Sequence, residues 1–144
     1  MNLNKTTKYA LQVFSLIALD DNKLYTAIEL SEKLKIPYRY LRKLMQEFQK
    51  NGLLKSVQGK EGGYLLTKPI NEISLYEIIM LTDANQMDTH CFFGFEDCAL
   101  VNKCSMHNKW GDLRAVWMQT LQGTTLEDIK NNNIDSDFLK NNLI

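Results

Sequence analysis

Apolar residues recur every three or four positions through most of the chain. Tyr9, Ala10, Val13, Phe14 and Ile17 share one face of a helix predicted over residues 5–19. The polar cluster Asp20-Asp21-Asn22-Lys23 ends it. Thr26-Ala27-Ile28-Glu29 has the form of a capping box, in which hydroxyl and carboxylate satisfy amides left free at a helix start. A short helix to about Leu34 follows. Lys35-Ile36-Pro37 makes a tight connection, because proline disfavours helical geometry in the residue before it and suits the opening turn of the next helix.

The third helix, predicted over residues 37–51, has two opposed faces. Leu41, Leu44, Met45 and Phe48 follow the i, i+3, i+4, i+7 spacing of a core face. Arg39, Arg42, Lys43 and Gln46 repeat that spacing two positions earlier, roughly 200° away around the axis. Gly52 is placed to end the helix in the left-handed conformation. Two short strands, residues 53–57 and 64–67, flank the glycine-rich tip Gln58-Gly59-Lys60-Glu61-Gly62-Gly63. Three helices and a hairpin, in that order, describe a winged helix-turn-helix.

The second half is patterned differently. Ser74-Leu75-Tyr76-Glu77 is a second capping box and opens a helix to about Thr82. A cysteine-bearing loop separates it from a longer helix over residues 105–121. There Met106, Trp110, Leu113, Trp117 and Leu121 make a narrow stripe in steps of three and four, the form of a seam that pairs with another helix. Thr124-Thr125-Leu126-Glu127 caps a last short helix. The expected fold class is mainly α: a winged helix-turn-helix with a two-stranded wing, plus a long C-terminal dimerisation helix. The expected organisation is a DNA-binding region at 1–70, a connecting helix at 71–87, a cysteine loop at 88–104, and a dimerisation helix with its tail at 105–144.

Charge sharpens this division. The 144-residue chain is formally neutral. Yet residues 1–70 hold 12 Lys and Arg against 6 Asp and Glu, while residues 71–144 hold 5 against 11. A basic first half suits a polyanion. No run approaches the roughly 18 apolar residues of a membrane span. The polar start MNLNKTTKY lacks a signal-peptide pattern, so a cytoplasmic protein with no membrane partner is expected. No nucleophile–base set, phosphate loop or carboxylate pair is apparent, and an enzyme is not expected.

In a helix-turn-helix the second helix enters the major groove and its first turns reach base edges. Arg39, Tyr40 and Arg42 occupy those turns, with Tyr38 just ahead of them. Arginine meets guanine bidentately, and tyrosine bonds phosphate or packs on a thymine methyl. Lys43, Lys5 and Lys8 suit phosphate contacts, and the tip with Gln58 and Lys60 suits the neighbouring minor groove. Taken alone, the 39/42/43/46 stripe reads more readily as a solvated face. The tight turn before it and the wing after it favour DNA.

The cysteines read Cys91-x6-Cys98-x5-Cys104-x2-His107. An odd count argues against a disulfide framework. Thiolates and imidazole favour zinc, copper(I) or an iron–sulfur cluster. Cys104 and His107 lie one turn apart where a helix begins, and its positive end stabilises a thiolate. Zinc structural sites usually include a tight Cys pair, whereas spacings of six and five suit a larger centre. A metal-free thiol switch and buried inert cysteines remain open, as does an iron–sulfur electron carrier that never binds DNA. His90 reads as a surface or packing residue, and Phe92, Phe93 and Phe95 as a cover for the site.

The runs Ile36-Pro37-Tyr38-Arg39-Tyr40-Leu41, Asn51-Gly52-Leu53 and Gly59 to Leu66 resemble the Rrf2 family of bacterial transcription regulators. The segment from Cys91 to His107 resembles that family's cluster-binding branch. The resemblance covers residues 1–130. It implies a homodimer built on the long helix, binding a two-fold DNA operator. It also implies an iron–sulfur cluster on Cys91, Cys98 and Cys104, with 2Fe-2S favoured over 4Fe-4S; zinc is the alternative that the donor set itself leaves open. In one group of members the histidine one turn past the third cysteine completes the site, and that position is His107. In nitric-oxide-sensing repressors an acidic residue of the first helix serves, where this chain has Lys8 and Gln12. Two departures stand out: six residues rather than five separate the first two cysteines, and Gln58 replaces a common arginine before the wing glycines.

Overall fold

The computed structural model describes residues 3–84, 91–95 and 104–132. Its elements are α1 (Lys5–Leu19), α2 (Ala27–Leu34), α3 (Tyr38–Lys50), β1 (Leu54–Val57), β2 (Gly63–Leu66), α4 (Leu75–Thr82), α5 (Ser105–Gly123) and α6 (Leu126–Asn131). A 3-10 turn at Ile70–Glu72 links the hairpin to α4.

Asn4 opens α1 by accepting from the Thr7 amide at 2.8 Å. The fully buried Thr7 hydroxyl also bonds Asn4 and accepts from Thr82 at 2.9 Å, tying the start of α1 to the end of α4. Helix α2 ends with Lys35 in the left-handed region, φ 53°, and Pro37 is the N-cap of α3. Leu41, Leu44, Met45 and Phe48 are all buried, while Arg39, Arg42, Lys43 and Gln46 are exposed. Burying each such apolar side chain stabilises the fold by up to about 1.5–3 kcal/mol. Phe48 meets Phe14 of α1 with ring centroids 4.7 Å apart.

The hairpin pairs antiparallel from Leu54↔Leu66 to Val57↔Gly63. Tyr25, just before α2, adds a bridge that the sequence pattern does not announce. It exchanges backbone hydrogen bonds with Tyr64 at 3.2 and 2.8 Å.

The capping boxes form only in part. Thr26 and Ser74 accept from the amides of Glu29 and Glu77, as expected. The Glu29 carboxylate instead bonds Lys23 and Lys33, and that of Glu77 bonds Lys68. The full box lies at Thr125 and Asp128, one residue beyond the Thr124 start expected for α6. The Thr124 carbonyl accepts from the Leu75 amide at 2.9 Å in an extended pairing, so the helix begins after it. The Leu126 amide returns a bond to Ile73 at 3.0 Å, and its side chain is fully buried in the core. No helix among the described residues is long and apolar enough to cross a membrane.

Candidate nucleic-acid interface and cysteine site

Helix α3 is held on both flanks, which leaves its outer face free. On one side Gln49 donates to Ser56 of β1 at 3.1 Å. On the other, the Tyr40 hydroxyl is hydrogen-bonded to Thr6 of α1, and its ring meets Tyr9 edge-on at 5.6 Å. Lys5 lies 5.5 Å over the Tyr9 ring. The sequence offers the Tyr40 side chain to a phosphate or a thymine methyl; here its hydroxyl pairs with Thr6 while the side chain stays partly open to solvent. Lys43 remains exposed beside Tyr40, above a shallow hollow shared with Thr6, Leu44 and Glu47. Lys8 is half-buried on α1.

The wing tip depends on glycine. Gly59 has φ +118°, and the Gly62 amide donates to its carbonyl at 3.1 Å. A Cβ on Gly62 would stand 2.1 Å from the Val57 carbonyl oxygen, so no side chain fits. Gln58 and Lys60 are therefore presented on an exposed, tightly turned tip. Behind it, Lys23 and Lys33 lie 4.7 and 5.8 Å over the Tyr25 ring. Burial pushes the Tyr25 phenol up. Burial alone would also raise the Glu29 carboxyl, but hydrogen bonds from Lys23 and Lys33 outweigh it and hold that group below the usual carboxylate range.

Between α3 and the wing runs a cleft of about 270 Å³, lined by Tyr38 and Arg42 on one side and Val57 and Gln58 on the other. The first turn of α2, including Ala27 and Ile28, forms its third wall. Sequence periodicity placed Arg42 on the same face as Arg39. The cleft, assembled from α2, α3 and the wing, has no sequence signal.

In the cysteine region, Cys104 is the half-buried N-cap of α5. The His107 amide donates to its carbonyl at 3.2 Å, and the His107 side chain is exposed. Cys91 is half-buried at the start of a turn closed by the Gly94 amide, which donates to the Cys91 carbonyl at 2.8 Å. Phe92 packs edge-on against Trp110 of α5 at 5.5 Å, so the Cys91 segment lies on the helix that begins with Cys104. Phe93 and Phe95 are each 60% exposed, and Phe93 meets Phe92 edge-on at 5.3 Å. Cys98 and His90 lie outside those residues. Among the described residues no three His, Cys, Asp or Glu side chains stand close enough to hold a metal ion. The donor chemistry of three thiols and an imidazole nevertheless fits a soft metal centre.

None of the residues of α5 is fully buried. Met106, Trp110, Trp117 and Leu121 are half-buried, while Leu113 is 60% exposed. Val116, outside the expected stripe, is 62% exposed and widens the open apolar surface.

Three helices, a hairpin bridged by Tyr25, and an outward basic face on α3 define a winged helix-turn-helix DNA-binding protein. The chain belongs to the Rrf2 family, whose model, described as an iron-dependent transcriptional regulator, matches residues 3–132. It is 34% identical over 133 residues to the HTH-type transcriptional regulator IscR of Pectobacterium carotovorum, covering 92% of this chain and 80% of that one. Its fold is similar to CymR, the global cysteine regulator of B. subtilis (TM-score 0.78, 21% identity, 92% and 98% covered). T. potens IscR is similar too (TM-score 0.73, 21% identity, 92% and 88% covered). The chain is thus a DNA-binding transcriptional regulator and not an enzyme.

Proposed function

We propose that this regulator acts in the cytoplasm as a homodimer paired through α5, binding a two-fold operator under the control of an iron–sulfur cluster. The two α3 helices enter major grooves about one helical turn apart, with each wing at the adjacent minor groove. Cys91, Cys98 and Cys104, with His107, hold the cluster. A 2Fe-2S form is favoured and a 4Fe-4S form is the variant. When bound, the cluster supplies a centre that responds to cluster supply, nitric oxide or redox state.

One observation carries this reading. The helix that begins with Cys104 and His107 is the helix whose apolar residues Leu113 and Val116 stay open to solvent. The chain's own part is to carry a change at Cys104 along α5 to the pairing surface, and so to the spacing of the two α3 helices. Repression is the expected mode, because a dimer seated across an operator excludes other proteins from it.

The test begins with protein purified without air. Its visible absorption is recorded, and iron, sulfide and zinc are assayed on the same sample. Matched iron and sulfide, lost in Cys104→Ala, support the proposal. One zinc per chain would replace the cluster by a structural site, for which a three-Cys, one-His set is also suited. Unchanged operator affinity in Cys98→Ala and Cys104→Ala would refute control by the cysteines.

A further inference from the structure

Major and minor grooves that adjoin are divided by one ridge, the sugar–phosphate backbone between them. If α3 lies in a major groove and the wing in the next minor groove, that ridge must pass through the cleft separating α3 from the wing. We infer that this cleft seats the backbone ridge, and that Arg42 grips a phosphate there rather than reading a base. The inference rests on the placement of α3 and the wing proposed above, and it divides the basic face of α3 into two roles.

The cleft has the chemistry this occupant needs. Arg42 is its cationic wall, and guanidinium suits a phosphate as well as a guanine edge. Tyr38, Ile28 and Val57 line it while remaining 43%, 58% and 41% exposed, which is unusual for apolar side chains so close together. They offer the deoxyribose faces on either side of a phosphate a surface without competing charge. The Gln49–Ser56 bond fixes α3 to β1, so the width of the cleft is set before DNA arrives. Arg39, Lys43 and Gln46 are exposed but do not line the cleft. Arg39 and Gln46 point away from the core more directly than Arg42, which is turned roughly 60° toward the wing by helical geometry. Base reading therefore falls to Arg39 and Gln46.

Phosphate and base contacts leave different marks. Losing a phosphate contact weakens all sequences alike and flattens the salt dependence, while losing a base contact relaxes one position of the site. The full chain is used to select an operator from a pool of random duplexes, and the selection is repeated with Arg42→Gln and Arg39→Gln. Arg42→Gln should weaken operator and random duplex by the same factor, about three- to tenfold, with a log–log salt slope shallower by about one. Its selected sequence should match that of the unaltered protein. Neutralising one phosphate as a methylphosphonate should weaken the unaltered protein and leave Arg42→Gln unaffected. Arg39→Gln should instead broaden the selected sequence at a single base. A broadened base at unchanged slope in Arg42→Gln would overturn the inference, as would no change in either. Both results would leave the proposed function standing. Failure of the unaltered protein to select any sequence, with no salt dependence, would overturn that placement of α3 itself.

Discussion

Helices α3 and α5 both space apolar residues for packing, and they meet opposite fates. In α3 every core-facing apolar side chain is buried against the same chain, and both flanks are tied down by Gln49–Ser56 and Tyr40–Thr6. In α5, longer at 19 residues, none is fully buried. A helix completed inside its own subunit can offer its polar face to DNA with fixed geometry. A helix left incomplete has its remaining surface to give to a partner. The division of charge along the sequence follows the same line.

The contrast can be tested from its strongest side first. Phe48→Ala, in the completed helix, should cost about 3–5 kcal/mol of unfolding free energy, measured by urea denaturation. Leu113→Asp, in the incomplete one, should leave the circular dichroism spectrum unchanged. It should, however, sediment as a monomer and bind operator more than tenfold weaker. If Leu113→Asp unfolds the chain instead, α5 is packed within the subunit and the contrast fails.

Tyr40 supplies a finer test. Tyr40→Phe and Thr6→Val should each cost about 1 kcal/mol, and the double variant no more than either, because one hydrogen bond joins them. A loss of operator affinity in Tyr40→Phe alone, with none in Thr6→Val, would assign the hydroxyl to DNA. The smallest effect is expected at Glu29. Its folded carboxyl titrates below its unfolded value, so its stabilisation is present above the ordinary carboxylate range and lost as pH falls through the lower folded value. Glu29→Gln should therefore cost under about 1 kcal/mol at neutral pH, and less on acidification, by urea titration at each pH.

The sequence carried most of the winged half because its signals are local. Periodicity marked α1, α3 and α4 to within a residue, and Gly52 does take a positive φ, at 81°. What it could not carry depends on partners distant in the chain. The Tyr25–Tyr64 bridge, the diversion of Glu29 and Glu77 to lysines, and the one-residue shift at Thr125 are all decided by tertiary neighbours. For the cysteines, residue type and spacing supply the candidate ligands, and Cys98 lies outside the described residues. Arg42 shows the same limit within one helix: its face was legible, and the cleft beside it was not.

The return of α6 to the core has a mechanical consequence. The paired bonds Leu75–Thr124 and Leu126–Ile73 clasp the C-terminal end of α5 to the start of α4. From that clasp to Cys104 the helix runs roughly 28 Å at 1.5 Å per residue, packed in part against α4 and Phe92. A tilt of about five degrees at the pivot sweeps the thiol through roughly 2.5 Å, on the scale of a bond to a metal. On the proposed reading, a rearrangement of that size at the cysteine would become a small rotation at the root of α4, which packs on α1.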